Sequence, residues 1–205
     1  MAIEKIDFRK TMKTLYGPTA KDFVLVEVPK MQFVKIDGQG NPNTAPAYGT
    51  ALEWLYGVSY ALKFAAKAAG KDYGVPPLEG LWWAEDNAAF TARAKDEWRW
   101  TMMIMTPDFI AREMYSAAVE KAGKKLGEPP ASLRLEPYDE GLAVQILHVG
   151  SYDDEAPTIK RLHGEFIPQH GLAENGLHHE IYLSDPRKTA SAELKTILRH
   201  PVRRR

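Results

Sequence analysis

His178-His179-Glu180-Ile181-Tyr182-Leu183-Ser184-Asp185-Pro186-Arg187 decides how this chain is read. Taken as a strand, its side chains alternate, so His178, Glu180 and Tyr182 share one face while His179, Ile181 and Leu183 share the other. Ile181 and Leu183 suffice to bury one face against helices. The opposite face then carries a carboxylate between an imidazole and a phenol, which a sheet does not need for its own cohesion. An acid near aromatic rings suits a flat or cationic small molecule. Rings are plentiful upstream, at Trp82-Trp83 and Trp98-Arg99-Trp100. Asp185-Pro186-Arg187 reads as the turn that closes the strand.

Working outward, residues 23–28 and 31–37 read as strands parted by Pro29, and 38–43 as a Gly/Asn/Pro loop. A helix is predicted from about 44–47 to Ala69, stopped by Gly70. Its core stripe is Ala51, Leu55, Val58, Leu62 and Ala65, and Tyr48, Leu52, Tyr56, Tyr60 and Phe64 run along one flank. Strands follow at 81–84 and 97–105, joined through 87–95. Pro107 is expected to open a helix reaching Lys125, with Asp108 favouring its positive end. Gly127-Glu128-Pro129-Pro130 is the nearest thing to a boundary. Strands at 133–137 and 142–149, a helix at 153–170 ended by Gly171, the strand at 178–183 and a short helix at 191–199 complete the chain. Strand, helix and strand recur in both halves. The expectation is an α+β fold of two related modules, about 23–126 and 131–205, forming one domain with sheets joined across a pseudo-twofold.

The 27 basic and 27 acidic residues cancel, so no global charge favours nucleic acid or membranes. The segment Arg199-His200-Pro201-Val202-Arg203-Arg204-Arg205 reads as a solvated basic end. With no cysteine there are no disulfides, thiolate metal sites or cysteine nucleophiles. No run reaches the roughly 18 apolar residues of a membrane span, and residues 1–22 lack a signal-peptide core, so a cytoplasmic protein is expected. Nothing in the chain sets an oligomeric state.

Weaker constellations carry little. His178 and His179 point to opposite faces, so with Asp185 they make no metal site. Gly38-Gln39-Gly40 lacks the third glycine of a dinucleotide loop. Ser59, Ser151 and Ser184 lack a nucleophile-elbow context. Neither a metal nor a cofactor is expected.

Four stretches carry a resemblance: Pro77-Leu78-Glu79-Gly80-Leu81-Trp82-Trp83, Trp98-Arg99-Trp100-Thr101-Met102-Met103-Ile104, Glu140-Gly141-Leu142-Ala143-Val144-Gln145-Ile146-Leu147-His148-Val149-Gly150, and the stretch from His178 to Arg187. With the closing Leu194-Lys195-Thr196-Ile197-Leu198-Arg199-His200-Pro201-Val202, they resemble the stand-alone GyrI-like small-molecule-binding proteins along essentially the whole chain. The resemblance implies tandem strand–helix–strand–strand modules around a central ligand cleft. It also implies a strand glutamate that meets the ligand, a place that Glu180 matches. Drug-sensing relatives carry a DNA-binding domain ahead of this one. Only some 22 residues precede the first strand here, so a DNA-binding regulator is not expected.

The expected partner is therefore a planar aromatic or cationic small molecule. Some stand-alone relatives hydrolyse cyclopropane-bearing alkylators, which makes that reaction the most concrete activity. Glu180 and Tyr182 are the candidate catalytic groups, Glu180 to position or deprotonate water and Tyr182 to hydrogen-bond a developing oxyanion. Tyr48, Tyr56, Trp82, Trp83 and Trp100 are candidate ligand walls. Met103, Tyr115, His148 and His178 join them as candidate binding residues. In a strand Trp82 and Trp83 face opposite ways, and the stripe Trp98, Trp100, Met102 and Ile104 also reads as core. The rival readings are a module that sequesters ligand without turnover and a gyrase-inhibitor-like protein whose outer surface does the work.

Overall fold

A computed structural model describes residues 4–85 and 94–205, so most of the expected connection at 87–95 lies outside the described residues. The fold is α+β. Its strands are β1 (Lys5–Ile6), β2 (Val24–Val28), β3 (Met31–Gln39), β4 (Asp72–Tyr73), β5 (Leu78–Trp83), β6 (Arg99–Thr106), β7 (Arg134–Tyr138), β8 (Gly141–Val149), β9 (Leu172–Glu174), β10 (His178–Tyr182) and β11 (Lys195–Arg204). The chain forms two compact units, one of Met1–Thr11 with Met31–Tyr138, the other of Met12–Lys30 with Asp139–Arg205. These units differ from the runs 23–126 and 131–205. β2 pairs with β8, and β7, beyond the break at 127–130, pairs with β3.

In the first unit, β5, β6, β3 and β7 form an antiparallel sheet in that order, and β1 pairs parallel with β4. Helix Pro46–Ala68 starts with its proline in the first turn, where no N–H is needed, and Gly70 beyond its end takes φ 85°. It packs on β3 and β6 and against helix Arg112–Leu126. Ala51, Leu55, Val58 and Leu62 are buried as expected, joined by Trp54; Ala65 is exposed and Ala66 takes the core position. Gly57 permits the close helix contact, because a methyl there would stand 3.1 Å from Leu126 and 3.6 Å from Ala122. The second helix begins at Arg112 rather than at Pro107. The carbonyl of Ile110, which could serve a helical N–H, instead accepts from the Gln32 side-chain amide at 3.0 Å.

In the second unit, β2, β8, β11 and β10 form an antiparallel sheet, with β9 added beside the far end of β11. Phe23, Val144, Ile146, Leu162, Ile167, Leu172, Leu198 and Val202 make one core. The helix expected at 153–170 is a series of short pieces: a tight turn at Tyr152–Glu155, α-helix at Ala156–Arg161, a wider π turn at Leu162–Phe166 and a last turn at Ile167–Gln169. Pro168 cannot donate to the carbonyl four residues back, so regular α-geometry cannot run through it. The helix expected at 191–199 is overturned. Only Ser191–Glu193 turns, and β11 lies between β8 and β10. The basic end is corrected with it, since Arg199, His200 and Val202 are buried and only residues 203–205 are exposed. Among the described residues no helix is long and apolar enough to cross a membrane.

Candidate functional site

β10 sets the geometry. Its register places Tyr182 opposite Thr196, Glu180 opposite Leu198 and His179 opposite Arg199, so alternate residues of β10 meet different faces of β11. On one face the Tyr182 hydroxyl donates to Glu180 Oε2 at 2.7 Å, and His178 Nε2 donates to Oε1 at 3.2 Å. Both carboxylate oxygens are thus engaged by residues two positions before and after, as strand parity allows. The Glu180 side chain keeps 14% of its surface open.

Tyr152, just ahead of the helix expected at 153–170, belongs to this group. Its ring meets that of Tyr182 edge to face at 5.9 Å and 86°. Burial, then the charges of Glu180, Glu155 and Asp185, push its phenol up to about 12. Tyr152 therefore remains an O–H donor throughout the physiological range. The available signal was its place two residues beyond Gly150, where β8 ends. Gly150 takes φ 143°, and a methyl there would stand 3.2 Å from the His148 ring. His148, expected as a ligand residue, is buried, and its Nε2 donates to Ser151 O at 3.0 Å.

The reverse face of β10 is closed. His179 Nδ1 donates to Glu140 Oε1 at 2.8 Å, and Arg199 Nη1 donates to Oε2 at 3.2 Å. Arg199 also donates to Gln145 Oε1 at 2.9 Å and to the Leu15 carbonyl at 2.7 Å. Burial pushes the Glu140 carboxyl up, but the charges and hydrogen bonds of His179 and Arg199 outweigh it and hold the group below its ordinary value. This network ties β10 and β11 to the segment preceding β2.

In the first unit Tyr48, Trp82 and Trp100 come together. Trp82 lies opposite Trp100 in register, and Trp100 opposite Gly38. Gly38 is required there, since a methyl would stand 2.2 Å from the Trp100 ring. Trp100 Nε1 donates to Gly40 O at 3.3 Å, and the Tyr48 ring meets Trp100 edge to face at 5.3 Å. Trp98 meets Trp82 at 5.7 Å. Trp82, Trp100 and Met103 are buried, whereas Tyr48, Trp83 and Tyr115 are half-buried. Tyr56 lies apart on an exposed helix edge, stacked with Tyr60 at 6.4 Å.

Met103 sits between Lys35 and Glu79 in register, both buried and neither anticipated. Their signal was a charge set within an apolar strand run. Burial pulls the Lys35 ammonium below its usual range, opposed by Glu136 at 3.1 Å. A separate depression of about 190 Å³, lined by Asp22, Phe23, Arg161, Glu165, Phe166 and Gln169, includes none of the expected residues. It is smaller than the roughly 300–1,000 Å³ usual for ligand pockets.

A model of the GyrI-like small molecule binding domain family matches residues 21–203. The chain is similar to a solved uncharacterized conserved protein from Listeria innocua, 38% identical, with a TM-score of 0.89 over 97% of this chain and 100% of that one. It is also similar to a hydrolase from Listeria innocua, 37% identical, with a TM-score of 0.87 over 98% of this chain and 100% of that one. The EcmrR C-terminal domain, 15% identical with a TM-score of 0.58 over 90% of this chain and 98% of that one, shares the fold alone. No curated protein matches the sequence significantly.

Proposed function

Because the chain belongs to the GyrI-like small molecule binding domain family, we propose that it binds planar aromatic or cationic molecules at the Glu180 face of β10 and hydrolyses cyclopropane-bearing alkylators there. The observation that carries this reading is a half-buried carboxylate with both oxygens engaged, at 2.7 and 3.2 Å, beside a second phenol, Tyr152. The similarity to a Listeria innocua hydrolase favours turnover over binding alone. An ionised acid with little solvent is stabilised by a cation, and each cation–π contact beside it adds about 0.5–2 kcal/mol.

For a cyclopropane conjugated to a dienone, water attacks the ring CH₂ while Glu180 accepts its proton. The ring C–C bond breaks, and its electron pair moves into the dienone to form a phenolate. That oxygen takes a hydrogen bond from a phenol, and its proton from solvent. Tyr182 and Tyr152, whose rings meet at 5.9 Å, are the phenols beside Glu180 that can supply the hydrogen bond. Glu180 releases the proton it took to solvent, so the addition of one water balances.

The test is a time course of the protein with a duocarmycin-type alkylator, followed by mass spectrometry beside Glu180→Gln. Many turnovers of a water adduct in the wild type, reduced at least a hundredfold in the variant, are expected. Retention of intact compound without adduct leaves a sequestering module. Equal adduct formation by both proteins removes Glu180 from the chemistry.

A further inference from the structure

A second cluster lies in the same unit beyond His178, whose ring lies 6.4 Å from that of His200. β9 runs beside the end of β11 with Glu174 opposite Val202, which brings Glu174 to the side of β11 that carries His200. The π turn Leu162–Phe166 supplies His163. Such wide turns recur where a helix presents a functional side chain. His163 Nδ1 lies 2.6 Å from Glu174 Oε1, and His200 Nε2 lies 3.6 Å from Oε2. The two imidazole rings meet edge to face at 4.7 Å, and one ligand-type atom from each of the three residues falls within 4.8 Å of the others.

His200 is the informative member. It is 4% exposed, yet neither ring nitrogen has a hydrogen-bond partner among the described residues. The 3.6 Å approach to Glu174 is too long to count as one. Buried imidazoles are ordinarily satisfied, and this one directs a nitrogen at a carboxylate already in contact with a second imidazole.

We propose that His163, Glu174 and His200 form a binding site for a divalent transition metal, Zn²⁺ foremost. Two imidazoles and one carboxylate are a zinc donor set that leaves a fourth position for water. Metal–ligand bonds of about 2.0–2.1 Å in a tetrahedron place neighbouring donors about 3.3 Å apart. The His200–Glu174 separation of 3.6 Å is close to that. The His163–Glu174 contact of 2.6 Å has to open. Glu174 can yield, because its side chain is 54% exposed, and it lies on the solvent side where an ion would enter. The absence of thiolates favours Zn²⁺, Co²⁺ or Ni²⁺ over a soft ion, and the imidazoles favour these over Mg²⁺ or Ca²⁺. This site is independent of whether Glu180 turns over substrate.

Calorimetric titration of the metal-stripped full chain with Zn²⁺ tests it, with Co²⁺ as a visible reporter. One ion per chain is expected, with the intense ligand-field bands of tetrahedral Co²⁺. Affinity should fall at least tenfold in Glu174→Gln and in His163→Asn, two partly exposed positions where the fold tolerates a change. A wild type that takes up no Zn²⁺, or two variants that bind it as tightly as the wild type, would overturn the assignment.

Discussion

His178 and His179 are neighbours in the chain and each meets a glutamate, yet their surroundings have little in common. His179, Glu140 and Arg199 are enclosed, and Gln145 and the Leu15 carbonyl complete the set, so a buried charge cluster has its polar groups met from within the protein. His178, Glu180 and Tyr182 are joined by bonds between residues two apart, on a face that stays partly open. One carboxylate is held by charges and is structural. The other is held by Tyr182 and His178 on a face that keeps part of its surface open. Strand parity alone separates the two.

Removing Arg199 should give the largest effect. Arg199→Ala leaves the Glu140 carboxylate buried with half its support, and about 3–5 kcal/mol of stability should be lost. Urea unfolding measures this, and a loss under ~1 kcal/mol would erase the contrast between the faces. The acid limb follows from the same pair. The folded Glu140 value is depressed, so its contribution is complete above the unfolded value, near 4.3, and fades as pH falls through the folded one. Wild-type stability should decline below about pH 4.5, and less steeply in Glu140→Gln, as followed by denaturant midpoints.

Glu180→Gln should change stability by less than about 1 kcal/mol in the same urea assay, because the amide can still accept from Tyr182. The smallest effect concerns Tyr152. In the wild type one phenol should ionise near pH 12, visible in phenolate absorbance. Glu180→Gln should lower that midpoint modestly, since burial is the larger cause and the Glu180 charge the next. An unchanged midpoint would mean that Tyr152 does not sense Glu180.

The open face was legible from residues because alternation needs only local sequence, and Glu180 stands out among Ile181 and Leu183. The closed face was not. Arg199 sits among basic residues beside Pro201, a pattern that reads as a solvated end. Its partners, Gln145 and Leu15, are 54 and 184 residues away in sequence. Residues 195–199 fit a helical or an extended period equally, and only pairing with both β8 and β10 selects the strand. The units were obscured for a similar reason. β2 and β7 pair with strands about a hundred or more positions away, β8 and β3 respectively, a choice no local signal encodes. The family resemblance pointed to Glu180, but Tyr152 meets Tyr182 through a turn whose geometry appears only in three dimensions.

The most direct test of the central claim, that Glu180 is the charge a ligand meets, is calorimetric binding of a planar aromatic cation and its neutral isostere to wild type and Glu180→Gln. At least tenfold weaker binding of the cation, with the neutral isostere unaffected, is the predicted result. Equal affinities of both proteins for the cation would place ligand recognition elsewhere in the molecule and contradict the account.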